Sequence, residues 1–380
     1  MTKFVIVAGE SSGDLLGSKI IAAIQDRCPD ATFEGIAGPK MAQVGCKQWF
    51  SSSELSVMGI FGVLKHLPRI LKIRKELTQK ILKNPPDAFI GIDAPDFNLK
   101  LEEKLKHRGI KTIHVVSPSF WAWRKNRVKV LSESVDLLLC LFPFEEGLLK
   151  EHNVNAVFIG PTLADSIQQK NDLKAARNNS ELKAKIVVAL MPGSRSSEIN
   201  RHAKLFFEAA TLLTNKLDDI EFVIPVVDSK IREQLMKILA MYLTDLKVTI
   251  TDNIHSALSA SDLIITKSGT STLEAALHKK PMVVVYKMSS LSYWFLKIFN
   301  IVHTNFISLP NILLGKKIVP ELIQENASSK AIFAESLFWL SNYQKVTELQ
   351  HQFDLLHSQL KQNASFLAAS KIVKIVQQKK

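Results

Sequence analysis

The feature that most limits what this chain can become is a series of short apolar runs, each trailed by an amphipathic segment, that stops and then starts again. The first series predicts strands over Phe4–Ala8, Thr32–Ile36, Ala88–Ile92, Thr112–Val116, Leu137–Leu141 and Val157–Ile159. Most of these runs are continuously apolar rather than alternating, as strands of a parallel sheet covered on both faces must be. A helix with Leu16, Ile20 and Ile24 on one face follows the first run. The stretch 168–185 is polar and has no long apolar face, so it reads as a linker. The pattern resumes with strands over Ile186–Leu190, Phe222–Val226, Val248–Thr251, Leu263–Thr266 and Met282–Tyr286, and with a helix aligning Phe206, Ala209 and Leu213. Two βαβ series predict an α/β protein of two Rossmann-like domains facing each other across a cleft. The expected division is 1–167, a linker over 168–185, and a second domain over 186–344. From Ser328 on the pattern is purely helical, and the segment from about 345 to 380 is expected either to return to the first domain or to reach a partner chain.

At 380 residues the chain is long enough for two cores, and 46% hydrophobic residues can fill them. The longest tight apolar run, Leu137 to Phe144, is far short of the ~20 residues of a spanning helix. Phe4–Ala8 leads into a glycine loop rather than a cleavage site, so no signal peptide is expected. Cys28, Cys46 and Cys140 are scattered, with no disulfide framework or metal-ligand spacing, which fits a reducing compartment. The net charge of +13 suits nucleic acid, anionic membrane or phosphorylated substrates. No helix-turn-helix, zinc-ligand or RNP pattern supports the first of these.

Three loops follow predicted strands at the edge where open α/β sheets bind ligands. Gly9-Glu10-Ser11-Ser12-Gly13-Asp14 is either a tight turn with Asp14 capping the helix, or a cradle presenting main-chain N–H groups and Ser12 to a ligand. In Met191-Pro192-Gly193-Ser194-Arg195, Gly193 allows close approach of a ligand and Arg195 offers a planar fork to a diphosphate. An Arg opening a helix opposes the dipole unless an anion is present, which favours the phosphate reading. In Lys267-Ser268-Gly269-Thr270-Ser271-Thr272-Leu273-Glu274, the small residues suit phosphate. Glu274, expected in the first helical turn, either complements the dipole or accepts both hydroxyls of a ribose.

Strand Ala88–Ile92 runs into Asp93-Ala94-Pro95-Asp96-Phe97-Asn98. Asp96 is the better cap by position, which leaves Asp93 either as a spare cap or as a general base facing the cleft. Trp121, Trp123 and Arg124 either line a substrate channel or pack as an aromatic loop. Asn311, in Ser308-Leu309-Pro310-Asn311, either donates to phosphate or sugar or holds a turn. Val63 or Leu64, Leu67, Ile70 and Leu71 fall at helical spacing among Lys65, Arg69, Lys72, Arg74 and Lys75. That stripe is either an interfacial surface or a face buried on the sheet. Residues 292–299, Ser-Tyr-Trp-Phe-Leu-Lys-Ile-Phe, form a second aromatic and basic stretch.

These stretches, with Gly35-Ile36-Ala37-Gly38-Pro39 and Ser56-Val57-Met58-Gly59, appear in the order found in one family. The chain resembles the lipid-A-disaccharide synthases. The resemblance implies a GT-B fold and an inverting transfer from UDP-2,3-diacylglucosamine to 2,3-diacylglucosamine 1-phosphate (lipid X), giving a β-1,6-linked disaccharide phosphate and UDP. It implies Asp93 as the base, Arg195 at the diphosphate, Glu274 at the ribose, an essential Asn311, and Ser12 in the glycine loop beside Gly13. Gly193, Ser194, Ser268, Gly269 and Thr270 would complete the UDP site, with Trp121, Trp123 and Arg124 near substrate. No metal or other cofactor and no nucleic acid are implied. The stretch from Phe61 to Lys75, with Phe61, Val63, Leu64, Leu67, Ile70 and Leu71 as its apolar contacts, would meet the inner face of the inner membrane from the cytoplasm. Family members can also dimerise by exchanging C-terminal segments. One departure is Ile159-Gly160-Pro161-Thr162, where the family often has His after the glycine. Two other readings compete: a GT-B enzyme acting on UDP-N-acetylglucosamine, and a non-catalytic binding protein using the positive charge.

Overall fold

The computed structural model describes residues 2–55, 60–118, 127–169, 173–178, 180–241, 246–288 and 305–378, and only the backbone of 60–66 and 127. Two compact units emerge: Met1–Asp165 with Leu360–Lys380, and Ser166–Gln359.

The first unit is built on a parallel sheet of β1 (Lys3–Ala8), β2 (Thr32–Ala37), β3 (Lys47–Ser51), β4 (Ala88–Ile92), β5 (Lys111–Val115), β6 (Leu137–Cys140) and β7 (Ala156–Phe158). The order is β3-β2-β1-β4-β5-β6-β7. Strand β3 was not expected. Its residues are half-buried or exposed, so the edge strand lacks the apolar run that marks the interior ones. The sheet is covered on both faces. Ile20, Ile21 and Ile24 of the helix Ser11–Gln25 pack with Ala368, Ala369, Ile372 and Val376 of the helix Ala364–Gln377 over one face. Ile73, Leu77 and Ile81 of the helix Ile60–Lys83 pack over the other with Val5, Val7 and Phe89.

The second unit has β8 (Ile186–Met191), β9 (Ile220–Pro225), β10 (Val248–Thr251), β11 (Leu263–Lys267), β12 (Met282–Tyr286) and β13 (Glu321–Ile323) in the order β10-β9-β8-β11-β12-β13. Strand β13, again at an edge, was also not expected. The polar stretch 168–185 does not hang free. It carries a short helix, Leu173–Asn178, whose Arg177 donates to the Ala260 and Lys185 carbonyls and pairs with Asp262. The chain returns to the first unit at Leu360 rather than near 345. The helix Tyr343–Leu360 belongs largely to the second unit, where buried His357 meets the Lys279 ammonium. Gly160, at φ +80, is the point where the returning chain passes. A Cβ there would strike the Leu360 carbonyl.

Candidate functional site

In each sheet the strand order reverses once, and the two loops beside that reversal form the edge where α/β sheets bind ligands. In the first unit it falls between β1 and β4. The loop after β1, Gly9 and Glu10, leads into the first turn of the helix Ser11–Gln25, which holds exposed Ser12 and buried Gly13, and the loop after β4 begins with half-buried Asp93. Gly9 lets them touch, since a Cβ there would lie 2.9 Å from the Ala94 Cβ.

Asp93 sits in a held turn. Asp93, Ala94 and Val116 all have positive φ, at 50°, 44° and 78°. Such backbone costs of order 1–3 kcal/mol per residue and persists only where the surroundings over-determine it. Here the Asp93 N–H donates to the Val115 carbonyl (2.9 Å), the Val116 N–H to Leu139 (3.0 Å), and Asn98 Nδ2 to the Asp93 carbonyl (2.8 Å). Beneath the turn, His114 Nδ1 lies 2.9 and 3.1 Å from the two oxygens of Glu102, and both side chains are fully buried. Burial pushes the Glu102 carboxyl up, and His114 opposes the rise. Gly91 is a contact glycine rather than a turn glycine, because a Cβ there would overlap Glu102 Oε1 and press on Asn98. Among the described residues no hydrogen bond or ion pair engages the Asp93 carboxylate.

Two capping expectations are corrected. Asp14 does not cap its own helix. Its carboxylate accepts the Gly38, Lys40 and Met41 N–H groups at 2.9–3.0 Å and so caps the following short helix, Pro39–Gln43. Asp96 does not cap its helix either. Ala94 is the N-cap of Pro95–Lys106, without a side-chain bond, because proline at the first helical position moves the start forward.

In the second unit the reversal lies between β8 and β11. Gly193, with φ +140, Ser194 and Arg195 follow β8, and Ser268, Gly269, with φ +156, and Thr270 follow β11. Arg195 is the N-cap of the helix Ser196–Thr214 and exposes 57% of its side chain. The anion that its position calls for is already present. Glu198 Oε2 accepts the Ser194 N–H at 3.1 Å, and Glu198 Oε1 lies 3.6 Å from Arg195 Nη1 and 3.0 Å from Lys267 Nζ. Burial raises the Glu198 carboxyl, but Lys267, Ser194 and Arg195 outweigh it and hold the group below its ordinary value. Behind Glu198, His202 is fixed as one tautomer. Its Nε2 accepts the Lys287 N–H, so its Nδ1–H donates to the Glu198 carbonyl.

Glu274 is not in the first turn. The helix runs Thr270–Leu277 with Gly269 as N-cap, which places Glu274 past the first turn and weakens the dipole explanation. Its side chain is 16% exposed, and burial pushes its carboxyl up to about 7. The His255 imidazole lies 3.9 Å away. A buried carboxylate without a close partner suits a ligand bearing hydroxyl donors.

Ser268 and Asn311 have other occupations. The Ser268 hydroxyl donates to the Ile307 carbonyl (2.7 Å). Asn311 is fully buried and fully used. Its Nδ2 donates to the Val319 carbonyl and Glu321 Oε1, and its Oδ1 accepts the Ile318 and Val319 N–H groups. Glu321 also accepts from Ile307 N, Ser308 N and the Ser308 hydroxyl. The reading of Asn311 as a donor to phosphate or sugar is therefore corrected: in this fold it holds the loop that Ser268 touches. Glu321 was missed because the groups that donate to it sit at sequence distances no motif spans.

Glu198, Lys267, Asn98, Glu102 and His114 were also missed. Only Glu198 carried a signal, since it stands three residues after the N-cap, where capping boxes place Glu. Trp121, Trp123, Arg124 and residues 292–299 lie outside the described residues, as do the side chains of Phe61, Val63 and Leu64. The helix Ile60–Lys83 is buried over one part of its length and exposed over another. Ile73, Leu77 and Ile81 are fully buried and Ile70 packs against them, whereas Leu67 and Leu71 are exposed. Among the described residues no helix is long and apolar enough to cross a membrane.

A family model described as lipid-A-disaccharide synthetase matches residues 4–376. The chain is 41% identical over 380 residues to the lipid-A-disaccharide synthase of Xanthomonas campestris pv. campestris (strain 8004), covering 99% of this chain and 87% of that one. It is 42% identical to the enzyme of the same name from Saccharophagus degradans, covering 100% and 98%. Among solved structures it resembles the UDP-GlcNAc 2-epimerase of Neisseria meningitidis, with a TM-score of 0.59, 13% identity and full coverage of both chains. It also resembles MurG of Acinetobacter baumannii, with a TM-score of 0.56, 14% identity and full coverage of both. Those likenesses and the two parallel sheets give the fold as GT-B.

Proposed function

The chain belongs to the lipid-A-disaccharide synthase family, a family of glycosyltransferases, and from that premise we propose how its residues divide the transfer. The donor is UDP-2,3-diacylglucosamine and the acceptor is lipid X. Asp93 takes the proton of the acceptor's 6-hydroxyl as that oxygen attacks the anomeric carbon of the donor. The bond from the anomeric carbon to the diphosphate oxygen breaks, and UDP leaves with the electron pair. Attack opposite the leaving group inverts the centre and gives the β-1,6 linkage. The charge that grows on the diphosphate meets Arg195 and the main-chain N–H groups of Gly193, Ser194, Gly269 and Thr270, so the reading needs no metal. Glu274 accepts the ribose hydroxyls. Ser12 and Gly13 hold the acceptor beside Asp93. Leu67 and Leu71, exposed among Arg69, Lys72 and Lys75, rest on the anionic inner face of the inner membrane, where both acylated substrates reside.

The observation that carries this division is the turn at Asp93. A carboxylate with no partner among the described residues stands at the reversal of the first sheet, on strained backbone held by buried polar groups. The structural likeness to enzymes of UDP-N-acetylglucosamine is of fold alone, and the far higher identity to the lipid A enzymes decides against that alternative.

Release of UDP by the purified protein tests the reading. It should require both acylated sugars, and Asp93→Asn should slow it by at least ~100-fold with an unchanged melting temperature. Release that continues without lipid X, or an Asp93→Asn variant of normal rate, rejects it.

A further inference from the structure

We propose that Lys267 is a ligand of the donor's diphosphate and that Glu198 occupies the diphosphate's place in the free enzyme. The inference rests on the assignment of the Gly193–Arg195 loop to the diphosphate and adds two residues to it.

Three donors from both sides of the second sheet's reversal converge on one carboxylate: the Ser194 N–H, the Arg195 guanidinium and the Lys267 ammonium. They are the donor types that recognise a diphosphate, and they come from the two loops a diphosphate has to bridge. Lys267 is the last residue of β11, and its side chain is only 19% exposed. Its Nζ lies 5.8 Å from the centre of the Tyr286 ring, and a Cβ on Gly269 would approach Nζ to 3.6 Å. The ammonium therefore stands against the glycine that opens the helix Thr270–Leu277, whose N-cap makes no side-chain bond.

A half-buried ammonium needs an anion. In the free protein that anion is Glu198, whose Cβ is pressed against Gly193 so closely that a Cβ there would lie 2.5 Å away. Arg195, Lys267 and Glu198 together carry a formal charge of +1, which matches a diphosphate poorly. When the diphosphate enters, its oxygens replace those of Glu198 on Ser194, Arg195 and Lys267, and the carboxylate turns to water. The cations then face the diphosphate with +2. The exchange keeps the two lysine and arginine charges paired in both states, so the empty site is not left as uncompensated buried charge.

Calorimetric titration of the full chain with UDP and with uridine, at one salt concentration, tests this. Lys267→Met should weaken UDP about 10-fold and leave uridine unchanged, and Lys267→Arg should retain most of the UDP affinity. Glu198→Gln should tighten UDP several-fold and leave uridine unchanged. A purely structural ion pair gives the opposite pattern, in which both variants lose UDP and uridine in parallel or Glu198→Gln weakens UDP. Either result overturns the inference. Circular dichroism checks that each variant is folded, and if Lys267→Met does not fold, Lys267→Arg and Glu198→Gln still decide. Arg195→Ala separates the two levels. If it abolishes the preference for UDP over uridine while the Lys267 variants do not, only the inference fails. If none of the three positions affects that preference, the diphosphate assignment of the loop fails with it.

Discussion

Glu274 shows what burial does to a single carboxylate. Its value of about 7 follows from burial alone, with His255 too distant to relieve it. A folded value raised above the unfolded 4.5 favours the folded state while the group is protonated. That contribution is complete below pH 4.5 and is lost as the pH rises through about 7. The proposed ribose-binding role needs the opposite form, because only the carboxylate accepts two hydroxyls. Glu274→Gln should therefore raise the melting temperature at pH 8 by several degrees and leave it nearly unchanged at pH 4.5. The same variant should weaken UDP at least ~10-fold at pH 8, consistent with charge-assisted hydrogen bonds of ~1.5–3 kcal/mol. Thermal melts and titrations at both pH values check this. A variant that melts lower at pH 8 would mean that Glu274 has a stabilising partner instead. The turn at Asp93 is the other residue-scale case. The sequence shows Asp93, but Asn98, Glu102 and His114 beneath it read as ordinary helix and strand residues, because only pairing of β4 with β5 sets His114 beside Gly91.

At the scale of one element, the helix Ile60–Lys83 divides its work along its length. Ile73, Leu77 and Ile81 recur every four residues and fill the core beneath Phe89. Leu67 and Leu71 keep the same spacing but remain exposed, flanked by Arg69, Lys72 and Lys75. The Arg69–Glu54 pair fixes the helix near Leu67. Leu67→Ser with Leu71→Ser should cut sedimentation with anionic vesicles several-fold at unchanged melting temperature, because no core is touched. Ile73→Ala should destabilise by about 2–5 kcal/mol without a specific effect on vesicle binding. Equal vesicle binding by the Leu double variant would remove this helix from the membrane reading.

At the scale of the whole molecule, the helix Ala364–Gln377 covers a sheet whose first strand begins at Lys3. Ala368, Ala369, Ile372 and Val376 are buried with the helix Ser11–Gln25, so the first unit cannot be finished until residues 364–377 are made. Asp165 holds that return by accepting the Asn363 and Ala364 N–H groups. Deleting 360–380 should expose this apolar face. The expected result is a loss of the first unit's melting transition, or aggregation, while the second unit's transition remains. Calorimetry of the truncated and full chains distinguishes this from a dispensable tail, which would leave both transitions in place.

The sequence by itself determined the two parallel sheets and the family, because buried central strands must be continuously apolar and the motifs between them keep the family's order. Tertiary structure decided the rest. Edge strands β3 and β13 carry no such run. The boundary at Leu360 depends on which unit buries the helix before it. The displacement of Asn311 from ligand to clamp, and the closing of Glu198 on Arg195 and Lys267, depend on groups far apart in the chain meeting in space. Local pattern reports what each segment needs to bury, whereas charge pairing and hydrogen-bond satisfaction are settled only when the partners arrive.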